Sequence, residues 1–302
     1  METLTAGPFE AQRPRLRRLA YRLLGSLADA EDVVQDAWLR WRRVDPAAVL
    51  APERFLTTVV TRLALDRLRA ARRAREAYEG QWLPEPVVEQ GDGEAGLERR
   101  GELALGLLLL LERLTPRQRA VYVLRESFAL EYEEIAAILE TTAAACRQAM
   151  RRARGELAGA PEPAGGAGRA MELAAAFSAA CLAQDYARLV GLLADGSVLL
   201  SDGGGKGLAA RRPVLGSDRI ARFFIGVCGK PGRLLLPVRV NGDPGVALVD
   251  AGGLRFVAAL EGTPVRTALL VANPDKLPRG LAGGGTVSPG ARACGNARAV
   301  AR

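Results

Sequence analysis

The stretch LTPRQRAVYVLRESFALEYEEIAAILETTAAACRQAMRRARGEL, residues 114–157, holds three helical segments separated by short turns. Thr115 stands where an N-cap belongs, with Pro116 at the first helical position. EYEEIAAIL follows as a second short helix, with Ile135, Ala136 and Leu139 as its inner stripe. A tight turn at Glu140–Thr142 leads into a third helix that Thr142 can cap. Ala145, Ala149 and Leu157 fall on its inner stripe. Glycine commonly eases such a turn, so a glutamate at 140 adds strain. The pattern is that of a helix-turn-helix, whose last helix enters the major groove with its N-terminal turns on the base edges. Ala144, Arg147, Gln148 and Arg151 would face outward. Arginine can read guanine O6 and N7, and glutamine can read adenine N6 and N7. Arg152 and Arg154 are better placed for phosphate. A helical hairpin with a solvated arginine face would look similar, so the neighbouring segments have to decide.

Upstream, LGSLADAEDVVQDAWLRWRRV covers residues 24–44. Asp29, Glu31 and Asp32 sit where a helix N-terminus favours negative charge. Val33, Val34, Ala37, Trp38 and Trp41 recur at helical spacing and make a buried face. Asp32, Gln35, Asp36 and Leu39 make an acidic, partly apolar stripe on another face, suited to docking a protein. PERFLTTVVTRLALDRLRAARRARE, residues 52–76, is a second long helix. Leu56, Val60, Leu63 and Ala64 form its core stripe. Thr58, Thr61, Arg62, Leu65, Arg69 and Arg72 form the outer one, where hydroxyls and guanidinium groups can track a phosphate backbone. Asp66 can pair with Arg62 one turn back.

Composition narrows the classes. The formal net charge is +8, and among the basic residues only Lys206, Lys230 and Lys276 are lysine. That balance suits a polyanionic partner. The chain has no histidine, which removes Ser-His-Asp hydrolysis, histidine-ligated zinc and Asp-His acid–base pairs together. Cys146, Cys181, Cys228 and Cys294 are far apart, without CxxC spacing. They suggest neither a zinc site nor a disulfide framework, and fit a reducing cytoplasm. The N-terminus lacks a basic-then-apolar signal, and the longest apolar run, Leu103 to Leu111, is too short to span a bilayer.

The expected organisation is multidomain. Residues 10–76 form one all-α unit. Residues 77–100, with six acidic residues, are a linker. Residues 101–158 form a second all-α unit containing the helix-turn-helix. After a Gly/Pro/Ala linker at 159–168 comes an α+β unit, 169–279. It opens with an amphipathic helix, Met171 to Leu193, and continues with short Val/Leu runs that read as strands: Val198–Leu200, Leu234–Val240, Val246–Val249, Leu254–Leu260 and Val265–Ala272. These suit a curved antiparallel sheet, with a helix wedged in at about Ser217 to Ile225. Residues 280–302 are Gly, Ala and Arg with little to bury, and read as a disordered tail.

Taken in order, the helical pieces resemble an extracytoplasmic-function sigma factor of bacterial RNA polymerase. LGSLADAEDVVQDAWLRW is similar to the region that grips core polymerase. PERFLTTVVTRLALDRLRAARR is similar to the segment that reads and melts the minus-ten element. The helix-turn-helix is similar to the minus-thirty-five reader. The resemblance implies core RNA polymerase and promoter DNA as partners. It places Asp32, Gln35 and Asp36 on polymerase. Arg62, Arg69 and Arg72 would lie along melted DNA, a flipped base would sit in the loop from Arg42 to Pro52, and Arg147, Gln148 and Arg151 would lie on upstream duplex.

Three motifs, WLPEP (Trp82–Pro86), DGGGK (Asp202–Lys206) and NPDKL (Asn273–Leu277), resemble the subgroup with a SnoaL-like C-terminal extension. That resemblance implies a cone-shaped SnoaL/NTF2-like fold for 169–279 that modulates the sigma regions directly.

On this reading Asp202, Gly203 and Lys206 from one motif lie near Asn273, Asp275 and Lys276 from the other, and the two contact either the linker, at Trp82 and Pro84, or the first helical unit. The glycines permit positive φ and close backbone approach, but the Walker spacing of a nucleotide site is absent. Asp275 or Lys276 can pair across an interface. No cofactor or metal is implied, no membrane is expected, and the SnoaL-like unit leaves room for an unidentified small-molecule ligand. Asp202, Asp218 and Asp250 are the carboxylates left for chemistry, and no general acid–base pair can be assembled from them. The alternatives are a DNA-binding regulator that acts without polymerase, and a SnoaL-like isomerase or cyclase with a DNA-binding appendage.

Overall fold

The computed structural model describes residues 2–45, 49–89, 103–158, 167–206 and 208–278. The expected tail, 280–302, and most of the second linker lie outside these.

Three long helices open the chain: α1 (Glu2–Leu24), α2 (Leu27–Trp41) and α3 (Pro52–Glu76). Ser26 caps α2 by accepting the Asp29 amide at 3.1 Å. Ala30, Val33, Val34, Ala37 and Trp41 of α2 are buried at spacings of three and four. Trp41 meets Phe55 of α3 with ring centroids 5.8 Å apart. Each fully buried side chain of this size contributes about 1.5–3 kcal/mol.

A Leu-rich helix, α4 (Leu105–Leu111), leads to α5 (Pro116–Tyr122), a π-helical turn (Val123–Ser127), α6 (Tyr132–Ile138) and α7 (Ala143–Glu156). Thr115 and Gln118 form a reciprocal capping box on α5, and Thr142 caps α7 by accepting the Ala145 amide. The inner stripe of α7 is Cys146, Met150, Ala153 and Leu157. It is offset by one from the expected Ala145 and Ala149, which lie at its margin, because the helix rolls to bury its two larger apolar side chains.

The last unit contains α8 (Ala167–Leu182), α9 (Tyr186–Leu192), β2 (Leu193–Asp202), β3 (Val214–Leu215), α10 (Ser217–Cys228), β4 (Leu234–Val240), β5 (Asp243–Asp250), β6 (Gly253–Glu261) and β7 (Val265–Val271). The expected single helix from Met171 to Leu193 is therefore two. It breaks at Gln184, which takes φ +54°, and Asp185 then caps α9. The sheet order is β1-β4-β5-β6-β7-β2-β3, all antiparallel except the parallel pair β2–β7. Strand β1 (Val88–Glu89) comes from the first linker and pairs with the edge strand β4. Helical units followed by a helix-and-curved-sheet unit match the expected fold class.

The strands read as nearly continuous apolar runs because both sheet faces are covered. On one face Phe256, Ala258, Leu260, Ala268 and Leu270 pack under α8 and α10, where Phe177 and Phe224 meet edge to face at 4.9 Å. On the other, Val257, Ala259, Leu269 and Val271 pack with Leu83 and Val88 of the linker and with Leu105 and Leu109 of α4. The next residues of α4, Leu108 and Leu111, belong to the helical core. One seven-residue helix thus joins two cores, which accounts for the long leucine run. Among the described residues no helix is long and apolar enough to cross a membrane.

Candidate docking and nucleic-acid interfaces

Asp202 ends strand β2 and is fully buried. Its carboxylate accepts four hydrogen bonds: Tyr78 OH at 2.6 Å, the Gly204 amide at 3.0 Å, the Leu83 amide at 2.9 Å and Lys276 Nζ at 2.7 Å. Lys276 also donates to the Leu83 carbonyl at 2.7 Å. The two motifs together therefore satisfy both backbone polar groups of the residue after Trp82. Lys276 Nζ lies 4.3 Å from the centre of the Trp82 ring, and the Arg75 guanidinium lies 3.7 Å from it. A tryptophan face attracts both cations. Burial pulls the Lys276 pKa below its ordinary value, against the opposing pull of Asp202. Burial and the Asp202 hydrogen bond push the Tyr78 phenol upward.

Asn273 completes this clamp by donating to Tyr78 OH at 2.8 Å. The glycines of DGGGK have specific tasks. A Cβ on Gly204, at φ +57°, would lie 2.4 Å from the Asn273 amide nitrogen, and one on Gly205 2.7 Å from a Glu79 carboxylate oxygen. Both let the motif approach its own neighbours. Gly203 supplies the carbonyl that accepts the Lys206 amide at 2.9 Å. Lys206 and Asp275 pair with each other at 2.8 Å on the exposed surface, so neither is the residue that crosses to the linker. Pro84 is buried close to Gly25, which takes φ +69°.

The linker is tied at further points that sequence reading missed. Glu85 accepts from Ser26 Oγ at 2.8 Å and the Leu27 amide at 2.7 Å, adding a carboxylate to the start of α2. Tyr21 OH donates to the Glu85 carbonyl at 2.6 Å. Asn241, in the β4–β5 turn at φ +53°, exchanges bonds with Val87 and also donates to Tyr21 OH and to the Leu103 carbonyl. The Asn241–Gly242 pair is the strongest short hairpin signal a sequence offers, but nothing local marks the asparagine as a linker contact. Glu261 accepts the Gly106 amide of α4 at 2.8 Å, and a Cβ on Gly106 would lie 2.1 Å from its carboxylate. Burial, with Asp243 nearby, raises the Glu261 pKa to about 7. Arg75, Glu112 and the buried Arg119 form an ion-pair chain from α3 to α4 and α5.

On α2, Gln35, Asp36 and Leu39 are exposed, while Asp32 pairs with Arg67 at 2.5 Å. The outer stripe of α3 departs from expectation. Thr61 is fully buried and Leu65 nearly so, because α5 and α6 pack on this side. Arg62 does not pair with Asp66. It reaches Glu140 at 3.0 Å and donates to the Ile138 carbonyl at 3.1 Å, and Asp66 pairs with Arg69 instead. Arg72 is exposed. On α7, Gln148 and Arg151 are exposed, and Arg147 lies 3.4 Å from Glu133. The structure thus brings WLPEP, DGGGK and NPDKL together.

Residues 9–74 match the Sigma-70 region 2 family and residues 105–157 the Sigma-70 region 4 family. The chain is 38% identical over 293 residues to the ECF RNA polymerase sigma factor SigJ of Mycobacterium tuberculosis, covering 89% of this chain and 91% of that one. It is 32% identical over 267 residues to the probable ECF RNA polymerase sigma factor SigI of the same species, covering 83% and 87%. The crystal structure of M. tuberculosis SigJ superposes with a TM-score of 0.72 at 36% identity, covering 89% of this chain and 96% of that one.

Proposed function

This chain belongs to the extracytoplasmic-function sigma factors of RNA polymerase, and we propose that its SnoaL-like unit sets the activity of the two sigma regions in cis by gripping the linker between them. As a sigma factor it binds core RNA polymerase and directs promoter-specific transcription initiation. The observation that carries the cis reading is the pair Asp202–Lys276, which holds the amide and carbonyl of Leu83.

We assign residues 10–76 to region 2, 101–158 to region 4 and 169–279 to the regulatory unit. Gln35 and Asp36, with Asp32 beside them, dock core polymerase. Arg62, Arg69 and Arg72 follow melted promoter DNA, and Arg147, Gln148 and Arg151 read the upstream duplex. The regulatory unit acts as a clamp and not as an enzyme. The fully buried Asp202 is saturated by four donors, and a saturated acceptor is poorly suited to act as a general base. The protein works in the cytoplasm, where its polymerase and DNA are.

A run-off transcription assay tests this reading. Core polymerase with the full chain should initiate at a defined start site, and core alone should not. Lys276→Met should change the yield at that same start site several-fold. Equal yields from wild type and variant would remove the cis clamp from the account while leaving the sigma activity in place.

A further inference from the structure

Glu140 is the residue at the helix-turn-helix turn whose presence the turn itself does not explain. It takes φ +51°, a conformation that non-glycine residues rarely adopt. Its carboxylate extends away from its own helices and meets Arg62 of α3 at 3.0 Å. Arg62 Nε donates at 3.1 Å to the carbonyl of Ile138, just before the turn. Six residues earlier, Glu134 meets Arg54 of α3 at 2.6 Å. Beneath these pairs Leu65 and Ile138 line the same crevice, and each is more than nine-tenths buried.

A carboxylate oxygen on a guanidinium takes the same donor that arginine presents to a phosphate. Arg62 is one of the α3 arginines assigned above to melted promoter DNA, and Arg54 lies four residues before Thr58 of the same outer stripe, so carboxylate and phosphate would compete for the same groups. We propose that the acidic turn of region 4, through Glu134 and Glu140, is an internal stand-in for promoter phosphates that covers the nucleic-acid face of region 2. The inference rests on assigning that face to DNA. It is independent of the Asp202–Lys276 clamp, which touches neither glutamate. Arg54 and Glu140 are largely exposed, and Arg62 and Glu134 partly so, so a polyanion can reach one partner of each pair and displace the other: they form a contact that yields to DNA.

The test uses the full chain and a fluorescein-labelled, mixed-sequence single-stranded DNA of about 20 nucleotides, followed by anisotropy. Single-stranded DNA presents no major groove to α7. Glu134→Gln/Glu140→Gln should bind it about three- to tenfold more tightly than wild type, the range that two exposed ion pairs allow. Glutamine preserves the capping role of residue 134 at the start of α6. The control, Glu126→Gln/Glu133→Gln, removes the same charge from carboxylates that pair with Arg154 and Arg147 within region 4, and should gain far less. An equal gain in both variants, or none in the first, overturns the proposal. Adding Arg62→Ala to the first variant should abolish its gain. If the gain survives, the DNA assignment of α3 is what fails.

Discussion

The contact on the linker and the contact on α3 are built differently. The linker clamp is buried and polar: Asp202 is fully buried, the Lys276 side chain is 10% exposed, and every acceptor site on the Asp202 carboxylate is used. The contact between α3 and the helix-turn-helix belongs to the shared apolar helical core and is edged by exposed ion pairs, with Glu140 75% exposed. Removing one partner of a buried, hydrogen-bonded pair leaves the other stranded, whereas an exposed pair contributes little. The clamp should therefore hold under conditions in which the α3 contact exchanges with DNA. The exposed ion pairs at the edge of the α3 contact can open while the linker stays gripped.

The sharpest way to break this comparison is Asp202→Ala, which strands Lys276, Tyr78 OH and the Leu83 amide together. It should cost about 3–5 kcal/mol in denaturant unfolding. A loss below about 1 kcal/mol would mean the clamp is no stronger than the exposed contact.

The next largest effect is at Glu261, whose pKa lies at about 7, above the ordinary 4.5. A carboxyl with a raised native pKa binds more protons folded than unfolded between these values. Its seat against Gly106 is therefore most stable below pH 4.5 and weakens as pH rises toward 7, by on the order of 3 kcal/mol. Glu261→Gln should flatten that part of the stability–pH curve, and an unchanged slope would assign it to other groups. The smallest effect belongs to the exposed Lys206–Asp275 pair. Lys206→Ala should shift stability by no more than about 0.5 kcal/mol, and a shift comparable to that of Asp202→Ala would erase the distinction between buried and exposed parts of the same motifs.

Much of the helical architecture is legible in the sequence because burial follows the helical repeat. The Thr115 and Thr142 caps and the Val33, Val34, Ala37, Trp41 face all follow from local spacing. What local spacing misses is packing between units. Thr61 and Leu65 occupy an outer position on α3 considered alone, and are buried only because α5 and α6 lie against them. Val88 reads as linker and becomes an edge strand because β4 offers it partners. The motifs WLPEP, DGGGK and NPDKL point to the right neighbourhood. Within it Asp202, Asn273 and Lys276 make the grip, while Lys206 and Asp275 pair on the surface. Tyr78 carries no signal of its own, and neither the place of Glu85 in WLPEP nor the hairpin signal at Asn241 names their partners, which are distant in sequence.

The most direct test of the central claim compares three full-length proteins in run-off transcription with core polymerase, on a template selected for initiation from a random-sequence pool. Wild type, Lys276→Met and Lys206→Ala should all start at the same nucleotide. Lys276→Met should change the yield at least about threefold, a difference of roughly 0.7 kcal/mol, and Lys206→Ala should match wild type. Identical yields from all three would contradict control through the linker clamp, and no core-dependent transcript from any of them would contradict the sigma activity itself.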